Sequence, residues 1–495
     1  MPHIAEAAVS SRAWRVVVYA AYAWAVLNSL YVYLLAHGAR VYRVEAATFI
    51  YIAALLPLLF TRAAQGTEAR PWPPAGRLLV LTAAATLWIV SVGPLVGFPF
   101  LSDDYVFLDR YRTASAALHP LSFVRPVFAV LFWLLRTVGG GSTVPFHVVG
   151  FVLHVVSAAC VYKLTERILK SPDAATIASS IFLLNPLQLE ATLWVSGLQE
   201  ALWTSSLLTA AVVYTAEGVL TTRRIAATAA LTAAALLSKE TAACFVLIFP
   251  LLDLAIGRST GECLVRTAYI VFGLELAAYL GLRAFVLPSV DQQFVVHPNR
   301  YVLKEFVATP YRAYLFPWNP SAVAVPRVIT CALGVAALTA LLRTARRPAL
   351  PLVCGPSLIL ASTLPLGGYF YVGADLVSAR YLYFGAAGWS LLLAAVITRL
   401  VRRPSWQVTI VSGLAVALFL VLQTNLAPWR TVGEFVRTLD VELRRGVQPR
   451  TAIDNWQQQH HVTFQSNEAG IPLSYHGVYV FTNGYAEFVL APRTE

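Results

Sequence analysis

The sequence predicts an all-α polytopic membrane protein, on three observations. Of 495 residues, 58% are hydrophobic and 13% charged, against about 45–50% and roughly 25% in soluble domains. The apolar residues gather in runs of membrane-crossing length. Short Arg-rich segments separate alternate runs, as in the cytoplasmic loops of membrane proteins. Together these exclude a soluble enzyme, a disordered chain and a coiled coil.

About 13 segments qualify as candidate spans on the criterion of roughly 17–25 apolar residues. They lie at 13–36, 45–61, 77–97, 147–164, 174–189, 198–216, 224–238, 241–257, 267–287, 321–342, 350–366, 381–398 and 406–425. The first is too long for a signal-peptide core and is read as a retained helix. From the fourth span onward, alternate loops carry Arg167 and Lys170, Arg223 and Arg224, Arg258 and Arg266, then Arg343, Arg346 and Arg347, then Arg399, Arg402 and Arg403. These loops are assigned to the cytoplasm. The first three spans carry a mixed signal, because Arg12 and Arg15 compete with Arg40 and Arg43.

Residues 225–256 form an apolar run broken once, by Ser238-Lys239-Glu240. A single helix of that length would measure about 48 Å, against about 30 Å of hydrocarbon. The run therefore predicts a tight hairpin with its tip outside. Lys239 and Glu240 then face a polar cavity or each other, because a charge facing lipid costs about 2.5–3.5 kcal/mol. Residues 126–137 are apolar but too short to cross, and Gly139-Gly140-Gly141 ends them. A first division follows: a transmembrane domain over 1–425, and a small extracytoplasmic α+β domain over 426–495. In the latter, 429–445 has helical spacing, and Val478–Phe481 and Phe488–Leu490 read as strands around Asn483-Gly484.

The net charge of +12 (37 basic, 25 acidic) lies in loops. It therefore points to the membrane and not to nucleic acid. Five scattered Cys give neither a zinc site nor a disulfide framework.

Polar side chains collect on the outer side: Asp103, Asp104 and Arg125, then Glu190 and Glu200, then Lys239-Glu240, then Arg283, then Arg380 with Tyr381 and Tyr383. Paired carboxylates outside a membrane suit transfer of a sugar from a polyprenyl phosphate. One acts as general base for an acceptor hydroxyl. The second positions it, raises its pKa, or helps hold a divalent cation such as Mg or Mn. The departing lipid phosphate needs cations, and Lys239, Arg283 and Arg380 lie on the right side.

Each residue also has a plainer reading. Asp103 and Asp104 suit a helix N-cap, though catalysis is preferred. Arg283 and Arg380 suit interfacial anchors. Glu190 and Glu200 suit structural hydrogen bonding. His147 and His154 share a helix face and read as packed residues, not metal ligands. Glu275 lies near mid-span and reads as bonded to another helix. Asp253 reads as structural.

In order along the chain, several strings resemble the C-type integral-membrane glycosyltransferases. They are Ser102-Asp103-Asp104-Tyr105, Arg125-Pro126-Val127, Phe146-His147-Val148, Asn185 to Ala191 with Trp194-Val195-Ser196-Gly197, Leu237-Ser238-Lys239-Glu240-Thr241, Leu315-Phe316-Pro317-Trp318 and Arg380-Tyr381-Leu382-Tyr383. The resemblance is nearest to the protein O-mannosyltransferase branch and the transmembrane-and-tetratricopeptide mannosyltransferases. It covers about residues 100–400. It departs at Gln188 and Leu198, where that family usually carries His and Arg. The resemblance implies a hexosyltransferase with a polyprenyl-phosphate sugar donor and transfer at the outer face. It implies Asp103/Asp104 as base, Lys239, Arg283 and Arg380 at the donor phosphate, and Arg125, Glu190, Glu200, Glu240, Tyr381 and Tyr383 around the substrate. The acceptor is a protein, lipid or glycan hydroxyl. Short loops with Arg exceeding Lys favour a bacterial inner membrane. The alternatives are a lipid-linked sugar transporter or flippase, and an oligosaccharide polymerase or ligase.

Overall fold

The computed structural model describes residues 71–118, 124–259, 261–286, 313–314, 317, 319, 350–363, 372–373, 375–401, 403–482, 486 and 490. The expected spans at 13–36, 45–61 and 321–342 lie outside the described residues, as does Cys331.

The central helix explains the architecture. Ser171 caps it by accepting from the Ala174 N–H, Pro172 occupies its first turn, and Asp173 adds an acidic group there. Every residue from Asp173 to Leu184 is buried. A helix apolar all round belongs inside a bundle. The helices in chain order are α1 (Pro74–Val92), α2 (Asp104–Arg110), α3 (Ala114–Leu118), α4 (Pro126–Gly139), α5 (Val144–Leu169) and the central α6 (Pro172–Leu184). They continue with α7 (Leu189–Leu193), α8 (Leu198–Tyr214), α9 (Thr222–Leu236), α10 (Phe245–Ile256) and α11 (Cys263–Val286). Then come α12 (Leu350–Thr363), α13 (Gly385–Leu400), α14 (Pro404–Arg444) and α15 (Pro449–His460). Helix α6 packs against α1, α5, α13 and α14.

Helices α1 with its 3-10 extension, α5, α11 and α14 are long and apolar enough to cross a membrane. The outward faces of two of them are apolar: Leu78, Leu79, Ile89 and Val90 on α1, and Ile270, Leu274, Leu280 and Phe285 on α11. Such faces suit lipid and not water. The other expected spans within the described residues also fall on helices, but these are shorter. Helices α12 and α13 approach closely. A Cβ on Gly355 would lie 2.6 Å from the Gly388 carbonyl oxygen, and one on Gly388 would lie 2.5 Å from that of Gly355. Small residues at helix crossings are a membrane-protein habit.

The hairpin over 225–256 is present. Helix α9 ends at Leu236, and a 3-10 turn over Glu240–Cys244 leads into α10. Between α6 and α8 the chain is broken. Asn185 accepts from the Leu187 N–H, Pro186 stops the helix, and two 3-10 turns flank the single-turn α7. This irregular path holds Glu190, Trp194 and Ser196 together at one end of the bundle.

The boundary at 425/426 falls inside α14, one 41-residue helix. At 1.5 Å per residue that is about 60 Å, twice the hydrocarbon thickness. Its far end buries Trp429, Val432, Phe435, Val436 and Leu439, and these join the same core as the bundle. Three short strands follow in the order β1 (Gln465–Ser466), β2 (Pro472–Tyr475) and β3 (Val478–Tyr479), all antiparallel. The turn expected at Asn483-Gly484 lies outside the described residues. The observed turn is His476-Gly477, with φ of 45° and 82°. Two positive φ values in a two-residue loop make a type I′ hairpin turn.

Candidate active site

The first outer loop separates its two carboxylates. Asp104 is completely buried. One of its oxygens accepts from Leu101 N at 2.8 Å. The other accepts from Ser196 N at 2.6 Å and from the Ser196 hydroxyl. Burial pushes its pKa up to about 7, against the lowering effect of these donors. Asp104 thus ties the loop to the 3-10 turn before α8. Asp103 is half-buried. It precedes α2 but makes no side-chain cap bond, so the capping reading fails for it. Instead Asp103 Oδ1 accepts from the Thr482 hydroxyl at 3.1 Å. Burial raises its pKa, while Thr482 and the charge of Arg380 pull the other way.

Arg380 is the cation whose field reaches Asp103. Its guanidinium lies 4.7 Å from the ring centres of both Trp194 and Tyr381. Glu190 fixes it from behind. Glu190 Oε1 accepts from Ser378 N at 2.8 Å, and Oε2 accepts from Arg380 N at 3.0 Å and Nη1 at 3.2 Å. Burial raises the Glu190 pKa, with Arg380 offsetting part of the rise.

Two further ion pairs continue this polar band. Lys239 donates to Glu200, with the two residues 4% and 0% exposed, and its ammonium sits 4.8 Å from the Tyr381 ring centre. Arg125 grips Glu240 with two donors, Nε at 2.8 Å and Nη2, and reaches Gln199 Oε1 through Nη1 at 2.6 Å. Burial opposes ionisation of Glu240, but Arg125 and Lys239 overcome it and hold its pKa at about 2. The expected alternative, Lys239 paired with Glu240, is therefore not what forms. Each takes a partner from another element, because buried charges need well-aligned counter-charges. Arg283 is buried on α11, one turn from Tyr279. The fields of Arg125 and Glu240 reach Tyr279, so the band extends to this helix.

Not every expected residue reaches this band. Tyr383 points into the bundle, where its hydroxyl lies 2.7 Å from His154 Nδ1 and it is 1% exposed. The resemblance sets it beside the substrate; in the structure it lies against His154 within the bundle. His154 Nε2 also faces the Leu183 carbonyl at 3.1 Å, and His147 Nε2 faces that of Phe98 at 3.0 Å, so both are packing residues. Glu275 accepts from Thr232 on α9 at 2.8 Å. Asp253 accepts from Arg258, Tyr214 and Tyr269.

A divalent cation at Asp103 and Asp104 would compete with the donors that Asp104 already accepts. Both Asp104 oxygens and both Glu190 oxygens already accept N–H or O–H donors. Among the described residues no three His, Cys, Asp or Glu side chains gather as a metal site. Sequence reasoning missed Thr482, Ser196 and Gln199. Ser196 lay inside a quoted string without a role, and nothing local marks Thr482.

No family model matches this chain. No curated protein matches it in sequence. Among solved structures it is similar to ArnT from Cupriavidus metallidurans in the apo state, at 13% identity over 76% of this chain and 73% of that one, with a TM-score of 0.43. The same protein bound to undecaprenyl phosphate gives 14% over 76% and 74%, with a TM-score of 0.41. The oligosaccharyltransferase AglB from Archaeoglobus fulgidus, in complex with an inhibitory peptide and a dolichol-phosphate, gives 14% over 81% and 61%, with a TM-score of 0.39.

Proposed function

We propose that this chain is a membrane-bound glycosyltransferase, moving a hexose from a polyprenyl-phosphate donor to a hydroxyl acceptor outside the cytoplasm. The observation that carries the reading is Asp103, a carboxylate left half-buried and fixed through one oxygen by the Thr482 hydroxyl, within the field of Arg380. Burial raises the pKa of this carboxylate, and the guanidinium whose charge reaches it lies 4.7 Å from the ring centres of Trp194 and Tyr381. A base works best when its pKa approaches the working pH.

Asp103 takes the proton of the acceptor hydroxyl. The freed oxygen bonds the anomeric carbon as the bond from that carbon to the phosphate oxygen breaks. The electron pair leaves with the polyprenyl phosphate, and Arg380 meets its charge. Lys239 and Arg283 add positive potential behind Arg380, and Trp194 and Tyr381 offer flat faces to a sugar or prenyl chain. Asp104 holds the loop and does not itself take the proton. A bacterial inner membrane, with the site on its outer face, is the setting that the Arg-rich loops favour.

The test compares lipid extracts of cells lacking the protein, complemented with wild type, Asp103→Asn or Asp104→Asn. General-base catalysis contributes about 10²–10⁴-fold. A polyprenyl-phosphate sugar should therefore accumulate with Asp103→Asn while the protein persists at wild-type level. Asp104→Asn should lower the protein level itself, since an amide NH2 would face an N–H donor. A wild-type lipid profile with Asp103→Asn overturns the assignment of the base.

A further inference from the structure

We propose that Thr482 is a positioning residue for Asp103, which makes the C-terminal hairpin a working wall of the active site and not an appended domain. The proposal rests on reading Asp103 as the base. The two residues are 379 positions apart, yet the Thr482 hydroxyl donates to Asp103 Oδ1 at 3.1 Å. A carboxylate on a short side chain rotates freely unless one oxygen is fixed. Fixing Oδ1 sets the direction in which Oδ2 is presented to an acceptor, and a base must lie within hydrogen-bond reach of the proton that it takes.

The strand that leads to Thr482 is itself held at several points. Ser102 N donates to the Val480 carbonyl at 3.2 Å. The rings of Tyr479 and Trp194 lie 5.6 Å apart. Asn319 Nδ2 donates to the His476 carbonyl at 2.5 Å. At the base of the hairpin, Phe435 stacks its edge on Trp456 and meets Phe464, with ring centres 5.0 and 4.6 Å apart. The contact between Thr482 and Asp103 is therefore anchored on both sides. The same strand approaches the aromatic ring that covers Arg380, so the hairpin touches both halves of the proposed machinery.

The charged and titratable groups that interact with Asp103 are Arg380 and Asp104, and Arg380 in turn interacts with Tyr381, Glu190, Glu200 and Tyr479. Burial opposes the ionised carboxylate of Asp103, while the Thr482 hydroxyl, the charge of Arg380 and the Ser102 hydroxyl favour it. Removing the Thr482 hydroxyl therefore shifts Asp103 toward its protonated form, which cannot accept a proton. The acidic limb of activity moves to higher pH.

The experiment uses membranes carrying the full chain at matched levels: wild type, Asp103→Asn, Thr482→Val and Thr482→Ser. The probe is the lipid extracted from Asp103→Asn cells, and its consumption is followed from about pH 5 to 9. Thr482→Val should slow consumption roughly threefold to tenfold near neutrality, the effect of one hydrogen bond. Its acidic limb should move to higher pH, and Thr482→Ser should restore both rate and limb. A Thr482→Val profile equal to wild type, with Asp103→Asn inactive, overturns the proposal and leaves the base in place. An equal loss at every pH that serine does not rescue also overturns it, because that is a structural effect alone. Full turnover by Asp103→Asn, or no accumulated lipid, overturns both readings.

Discussion

At the scale of single residues, the band of buried charges is ordered by exchange of partners. Lys239 and Glu240 are neighbours in sequence, yet they pair with Glu200 and Arg125. Adjacent side chains on an extended backbone point apart, and Lys239 has extended φ and ψ of −164° and 135°. Each charge therefore seeks a counter-charge on a different helix. Lys239→Met should be costly, because it leaves Glu200 buried without its cation, a loss of about 3–5 kcal/mol. Lys239→Met with Glu200→Gln should recover most of it. Thermal unfolding of the purified protein in detergent checks this, and equal melting temperatures for the single and double variants would refute the pairing argument. Asp104 and Asp103 show the same logic within one dipeptide. One carboxylate is consumed by three donors, and the other keeps partial access to solvent.

At the scale of elements, the irregular pieces make the site. Helix α6 stops at Asn185-Pro186, the hairpin tip breaks at Ser238-Lys239, and β3 turns back at His476-Gly477. Gly477 has a φ of 82°, and a Cβ there would overlap the Asp375 carbonyl. Only glycine lets the hairpin lie so close to the loop that carries Arg380. Gly477→Ala should cost roughly 1–2 kcal/mol for the backbone conformation alone, before the clash. The undocked hairpin becomes at least about fivefold more populated, and limited proteolysis after α14 should accelerate to match. Unchanged cleavage would mean that the segment is held without this close approach.

At the scale of the whole molecule, charge distribution and length set the orientation. Among the described residues, Arg223 and Arg224 stand in the first turn of α9 and Lys239 follows its other end, so this helix separates a basic loop from the charge-paired band. A cysteine replacing the exposed Glu468 in the C-terminal segment should react with a membrane-impermeant maleimide in intact cells. One replacing the exposed Glu217, in the loop before α9, should not. The reverse pattern would turn the protein over and put the Asp103 site in the cytoplasm.

The sequence by itself determined the apolar character that suits a membrane, the helices on which the expected spans within the described residues fall, the hairpin over 225–256, and the carboxylates and cations of the band. These follow from hydropathy and loop charge, which act locally and leave a periodic record. It also marked Glu275 for a partner on another helix and His147 and His154 for packing. The short helices α2, α3 and α7 and the amphipathic α15 went unmarked. The tertiary structure alone decided which acid stays accessible, which cation meets which carboxylate, and that Tyr383 turns inward. It alone joined α14 across 425/426 and brought Thr482 to Asp103. The hairpin turn escaped notice because His-Gly is a weaker signal than Asn-Gly for the same two positive φ values. Contacts between distant positions arise from packing, and packing follows the summed shape and charge of many elements. No local pattern around Thr482 records that sum.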